Sequence, residues 1–342
     1  MPRSSSASSF YRAPLKASAL VLALAAATSA MAAENGNQRY SAGVGGSDMT
    51  TPVVPGLYFQ APMVAYHASK IKGNDGKQLT FLNPAAKVEI DTDTYAVLPR
   101  LTYISSHRLL GAHVGVTAML PVVKRKATFD APAAIGPYAA IRANVQGFTG
   151  SETGIADLEV SPVMHWEIGD HQSVTFAPTI VMPLGDFKAN QRVNAGFGDY
   201  YTFRPSVQYA FIGDGWDLGG RAVMSFNTRN KDTGYYSGKI FNFDWQAMAF
   251  VSEDIRVGVQ GYFVRQLQAD TLDSDGTLAN VYARTQLARE QGSKASVNAI
   301  GPAVAWLMNG GEMLIEGKFI KEFGAKNRTE GQAFWLTISK PL

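Results

Sequence analysis

The chain has 342 residues, 31 of them basic and 28 acidic, with 33 glycines and no cysteine. Arg3, Arg12 and Lys16 precede the first acid, Glu34, and setting them aside leaves 28 basic residues against 28 acids. A near-neutral body gives no electrostatic case for nucleic-acid binding, and the absence of cysteine excludes disulfides and thiolate chemistry.

The chain opens with a basic start, the apolar run "ASALVLALAAA" at 17–27 and the small-residue site Ala30-Met31-Ala32. This is the pattern of a secretory signal over residues 1–32. A membrane-spanning helix needs roughly 20 apolar residues, and this run is about half that. Residues 33–55, "AENGNQRYSAGVGGSDMTTPVVP", are polar, rich in glycine and proline, and aperiodic. They are expected to form an irregular N-terminal arm, placed to act as a plug.

From 56 to 342 the text changes to segments of about ten residues with period-two alternation, bounded by turn residues. Strands are expected near 56–69, 91–105, 109–122, 155–168, 173–183, 199–212, 217–228, 239–251, 255–267, 295–308, 313–323 and 332–342. A short helical pattern is found at 281–291, "VYARTQLAREQ". The connections alternate in length. Short ones are "SHR" (106–108), "GDHQ" (169–172), "GDGW" (213–216), "SED" (252–254) and "NGGE" (309–312); long ones cover 70–90, 123–154, 184–198, 229–238 and 268–294. Sorted connections of this kind mark an all-β, transmembrane, antiparallel up-and-down barrel of about 12 strands, with short periplasmic turns and long extracellular loops.

Every second strand repeats a motif ahead of its short turn. Pro99 and Tyr103, Pro162 and Trp166, Pro205 and Tyr209, and Pro302 and Trp306 are each four residues apart; the fifth strand has Gln246 and Phe250. Four residues along a strand keep both members on one face. Tyr103, Trp166, Tyr209, Phe250 and Trp306 are therefore expected to form a periplasmic aromatic girdle. The prolines would then stand on the lipid face, where each forfeits a ladder bond. The opposite face supplies the expected lumen lining: Arg100, Asp157, Glu159, His165, Glu167, Arg204, Gln208, Arg221, Asn227, Asp244, Gln246, Arg256, Glu316 and Lys318. The first strand does not alternate cleanly, and its facing stays open.

The stretches "ENGNQRYSAGVGG", "GDYYTFRPSVQYAF", "YYSGKIFNFDWQAMAFVSEDIRVGVQGYFVRQL" and "EGQAFWLTISKPL" resemble the MetA-pathway of phenol degradation family, also called SphA-like proteins. The resemblance implies an outer-membrane barrel of a Gram-negative bacterium that imports hydrophobic substrates, often encoded near pathways that break down aromatic compounds. The family has no short catalytic motif, so no site residue is carried over.

Inward charges of both signs can pair across a twelve-strand lumen, which side chains largely fill. Such a wall suits neither a wide ion channel nor a charged solute. The expectation is passive uptake of small hydrophobic, aromatic compounds through a narrow lumen, with lateral exit at the proline-interrupted ladders. A structural or adhesive barrel without transport is the alternative. A barrel-embedded lipase or esterase rests on Asp157, Ser161 and His165 sharing a face, but no Gly-x-Ser-x-Gly elbow accompanies them. No spacing calls for a metal or a cofactor. The expected partners are the outer-membrane bilayer, a small hydrophobic ligand and the outer-membrane assembly machinery during biogenesis, with no nucleic acid.

Overall fold

The structure is a computed structural model and describes residues 38–81, 83–87, 89–130, 149–189, 191, 193–273 and 294–342. The signal segment 1–32 and the helical pattern at 281–291 lie outside the described residues. The strands in chain order begin with β1 (Gly56–Lys72), β2 (Thr80–Phe81), β3 (Asn83–Lys87), β4 (Glu89–Val97), β5 (Arg100–Leu109), β6 (Ala112–Met119), β7 (Val122–Asp130), β8 (Gly150–Ile155), β9 (Leu158–Ile168) and β10 (Gln172–Met182). They continue with β11 (Thr202–Gly213), β12 (Trp216–Asn227), β13 (Tyr235–Tyr236), β14 (Ile240–Phe250), β15 (Ile255–Gln266), β16 (Thr271–Leu272), β17 (Ser296–Met308), β18 (Met313–Lys326) and β19 (Arg328–Pro341). Twelve of these, β1, β5, β6, β9 to β12, β14, β15 and β17 to β19, form an antiparallel ring that β19 closes against β1. Closure removes the sheet edges, which a bilayer does not tolerate.

At the long-loop end, β4, β7 and β8 prolong β5, β6 and β9 beyond breaks at Leu98-Pro99, Leu120-Pro121 and Ala156-Asp157. The prolines there still serve the sheet through their carbonyls. Leu98 N donates to Pro62 O at 2.8 Å, Leu120 N to Pro99 O at 3.2 Å and Ala156 N to Pro121 O at 2.8 Å. Residues 123–154, expected as one long loop, thus include most of β7 and most of β8. The reason is charge. Above the apolar band, the outward positions of β7 are Lys124, Lys126 and Thr128, while Val123, Ala127 and Phe129 turn inward.

The alternation elsewhere buries polar residues and exposes apolar ones. Leu101, Val207, Ile300, Val304 and Phe334 face outward, exposed to the bilayer side. Asp217, Asn242 and Asp244 are fully buried inside. Tight turns close the short end. Asp214 and Gly215 both have positive φ (53° and 81°), as do Leu110 and Gly111 (51° and 79°). Two consecutive left-handed residues match the right-handed strand twist of a hairpin. The first turn therefore sits at Leu110-Gly111. "SHR", expected as that turn, lies within β5, where the register shifts between Ile104 and Arg108.

Three prolines of the ring stand abreast. The β9–β10 register runs to Phe176↔Met164 and resumes at Ile180↔Val160, so Pro162 and Pro178 face each other across an unpaired stretch. Pro178 is in turn the partner of Pro205 on β11. The β11–β12 register also skips, from Phe203↔Phe226 to Ser206↔Val223. In contrast, β12–β14 and β14–β15 pair without a break.

Candidate functional site: the occupied lumen

The arm from Gln38 to Pro55 enters the ring and is held by inward side chains of strands far away in sequence. Asp244 on β14 accepts from Tyr40 Oη at 2.7 Å, Gly43 N at 3.0 Å and Gly45 N at 2.9 Å. Glu316 on β18 accepts from Ser47 N at 2.7 Å and from Gln260 Nε2 at 2.8 Å. Lys318 Nζ donates to Gly45 O at 2.6 Å and to Gln260 Oε1 at 2.8 Å. The arm passes so close to these acids that a Cβ at Gly46 would fall 2.0 Å from Glu316 Oε1. This is the physical reason for the glycine pair in "GVGG". A short 3-10 turn, Ser47–Met49, then carries Asp48 between two guanidiniums. Arg221 Nη2 lies 2.9 Å and Arg100 Nη1 3.4 Å from Asp48 Oδ2.

Burial pushes the Asp48 carboxyl up, but Arg221 and Arg100 outweigh it and hold the group below its ordinary value. Tyr40 is driven the other way. Burial and the Asp244 charge raise its phenol far above the ordinary value, so it stays a neutral donor.

The remaining lumen charges pair in the same manner. Arg39 Nη2 lies 2.8 Å from Asp157 Oδ2, and Arg39 Nη1 donates to Tyr200 O at 2.5 Å. Arg204 pairs with Glu159, and Arg256 with Asp217. Gln246 Nε2 donates to Asp217 Oδ1 at 2.6 Å, and Gln208 Nε2 to Met49 O at 2.6 Å. Asn227 accepts from Thr202 Oγ1 at 2.7 Å near the long-loop end. Glu167 stands apart from these. It is exposed at the short-turn mouth, 3.6 Å from Arg108.

Asp157, Ser161 and His165 do not bond one another. Ser161 Oγ donates to Pro162 O at 3.1 Å, His165 Nδ1 pairs with Thr175 Oγ1 at 2.8 Å, and Asp157 is held by Arg39. Among the outward aromatics, Tyr103, Tyr209 and Trp306 are about half exposed, and Trp166 is partly exposed, its Nε1 donating to Leu110 O at 3.1 Å. Phe250 is a correction. It shares parity with buried Asp244, Gln246 and Met248, so it faces inward, where its ring carries the Arg256 guanidinium at 5.5 Å. The spacing of four was right, but Gln246 and Phe250 keep it on the lumen face.

Facing of β1 is resolved as well. Tyr66 points inward to Glu322, and His67 outward, with Nδ1 3.0 Å from Asp93 Oδ1 and 3.7 Å from Asp91 Oδ1. The partners of the arm were not visible in the sequence. Asp48 and Arg221 are 173 positions apart, and no local pattern joins them.

The arm divides the lumen into two cavities of about 210 Å³ each, with Tyr40 and Ser41 lining both. The upper cavity, toward the long loops, is walled by Tyr66, Phe129, Tyr262 and Trp335. The lower one reaches Ser161, Val163, Ala177, Thr179 and Ser206, the inward residues beside the unpaired β9–β10 stretch and the three prolines. A wider vestibule of about 800 Å³ opens at the short-turn end beside Glu167, His171 and Phe250.

A closed twelve-strand ring with an apolar exterior, sorted connections and a polar interior is a β-barrel of the outer-membrane type. A family model described as "Putative MetA-pathway of phenol degradation" matches residues 68–338. The chain belongs to that family. Among solved structures it is similar to the COG4313 outer membrane channel from Pseudomonas putida F1, at TM-score 0.67 and 10% identity over 87% of this chain and 99% of that one. It also matches the β domain of the Bordetella autotransporter BrkA, at TM-score 0.47 and 8% identity over 84% of this chain and 100% of that one. The first likeness is one of fold; the second is too distant to argue from. The comparison with curated proteins finds no match.

Proposed function

We propose that the protein is an outer-membrane channel of a Gram-negative bacterium for passive uptake of small hydrophobic, aromatic compounds. The observation that carries this is the pair of small cavities on either side of the arm. The upper one is walled by aromatic rings, and the lower one lies against a wall where the ladder is interrupted. Small pockets that combine apolar wall with a few fixed polar groups take small ligands. Most of the described lumen charges are paired among themselves, so they offer a hydrated ion little to bind. Membership of a family described by phenol degradation supports the same substrate class, and the fold is shared with a protein titled an outer membrane channel.

In this account residues 38–55 act as a plug. A ligand enters from the long loops, passes the arm near Tyr40 and Ser41, and leaves sideways where Pro162, Pro178 and Pro205 stand abreast. Prolines facing one another supply no N–H donors, so fewer ladder bonds break when the strands part. The test is uptake of labelled aromatic hydrocarbons, beside fatty acids, in cells with and without the gene. A deletion that slows aromatic uptake, restored by the intact gene, is expected. Equal uptake across the panel contradicts the proposal.

A further inference from the structure

The upper cavity contains an imbalance that the rest of the lumen avoids. Among the described residues, interior cations meet carboxylates: Arg39 with Asp157, Arg204 with Glu159, Arg256 with Asp217, Lys318 with Glu316 and Arg328 with Glu322. Arg100 and Arg221 share Asp48. Arg125 on β7, in the wall of the upper cavity, has no such partner among the described residues. Its Nη1 donates to Asn194 O at 2.9 Å, and its guanidinium lies 4.7 Å from the centre of the Phe197 ring. A guanidinium has five N–H donors, and a neutral carbonyl and a ring leave most of them unused. Asp157 acts on Arg125 through space but makes its close pair with Arg39. A partly buried cation without a close partner of its own is costly, and that cost falls when an arriving acceptor takes the free donors.

The cluster around Glu322 in this cavity is already committed. Glu322 already receives Tyr262 Oη at 2.7 Å, Tyr66 Oη at 2.9 Å, Arg328 Nη2 at 3.0 Å and Gly331 N at 2.7 Å. The tyrosines thereby present ring faces, with their hydroxyl protons committed to Glu322. The volume of about 210 Å³ compares with the roughly 150 Å³ of an apolar cavity that holds one benzene. It has room for one substituted ring.

We infer that the upper cavity recognises single-ring aromatic compounds that carry an oxygen substituent. Arg125 donates to the oxygen while the ring lies against Tyr66, Phe129 and Tyr262. This deepens the uptake function proposed above and rests on it. It makes Arg125 a specificity residue, separating oxygenated rings from plain hydrocarbons of the same shape.

The test compares p-cresol with p-xylene, which differ by a hydroxyl in place of a methyl, and adds p-toluate as a carboxylate. Binding is measured by calorimetry to the purified full chain in detergent, with empty micelles subtracted. Wild type is expected to bind p-cresol or p-toluate about ten-fold more tightly than p-xylene, since a bond to a charged donor is worth at least that ratio. The tighter of the two oxygenated probes tells whether the neutral or the anionic form is preferred. The ratio should collapse toward one in Arg125→Met and survive in part in Arg125→Lys; if Arg125→Met does not fold, the wild-type ratio and Arg125→Lys still decide. A wild-type ratio of one, or a ratio unaltered in folded Arg125→Met, overturns the inference and leaves the uptake function standing. Failure of all three probes to bind counts against the uptake function itself.

Discussion

Two sectors of the barrel wall treat their backbone in opposite ways. The sector β12, β14 and β15 contains no proline and pairs without a break, and β14 and β15 supply Asp244 and Gln260 to the clamp on the arm. The sector β9, β10 and β11 places Pro162, Pro178 and Pro205 abreast, loses ladder pairs on two sides, and holds the arm more sparingly, through Thr202, Arg204 and Gln208. On the proposed uptake function, the contrast teaches how one ring can hold a plug and still let a ligand through. A rigid, fully bonded wall is the right anchor for a buried polar network, which loses its value if its members shift. A wall meant to part is better built where ladder bonds are already missing.

The largest effect should come from cutting the anchor. Asp244→Ala leaves Tyr40 Oη and the amides of Gly43 and Gly45 without their acceptor. A loss of about 3 kcal/mol or more is expected from three buried donors. The arm should then leave the lumen, and single-channel conductance in a planar bilayer should rise several-fold. Unchanged conductance would mean that the arm is held mainly elsewhere.

The opposite sector is probed by restoring donors. Pro178→Val with Pro205→Val returns two N–H groups to the ladder and should slow aromatic uptake several-fold. Pro302→Val on β17, away from the lower cavity, should leave uptake near wild type. Equal effects of the two changes would erase the distinction between sectors.

Acid should loosen the arm from its other end. Asp48 is held below its ordinary value in the docked state, burial notwithstanding, by Arg221 and Arg100. Its contribution to docking is therefore complete above the free carboxyl value of about 4 and is lost as pH falls through the lower docked value. Conductance measured at neutral pH and again near pH 3 should rise on acidification, and Asp48→Asn should show the smaller pH response. The least effect concerns a turn. Leu110 sits at φ 51°, where Asp214 and Asn309 occupy the corresponding positions of other short turns. Leu110→Asn should stabilise the barrel by about 1 kcal/mol, read from urea unfolding in detergent.

Much of this architecture was legible in the sequence because alternation is local. The strand count, the sorted connections and the outward places of Tyr103, Trp166, Tyr209 and Trp306 all follow from period two. Phe250 shows the limit of the method, since a spacing of four fixes a shared face without saying which face. β7 and β8 were hidden because Lys124 and Lys126 face out above the apolar band, so the polarity signal there is that of a loop. The arm's partners were out of reach because Asp244, Glu316 and Arg221 meet it only after the ring has closed. The abreast prolines were half legible. Their recurrence was plain, but Pro178 opposite both Pro162 and Pro205 depends on register.

The absence of cysteine allows a direct measurement. Val163 and Ala177 line the lower cavity on either side of the unpaired β9–β10 stretch. Facing positions on antiparallel strands come within disulfide reach. In Val163→Cys with Ala177→Cys, uptake of a labelled aromatic hydrocarbon is compared in the oxidised and the reduced protein. Lateral exit predicts that the oxidised staple slows uptake and that reduction restores it. Equal uptake in both states, with the disulfide verified, would contradict passage through this wall.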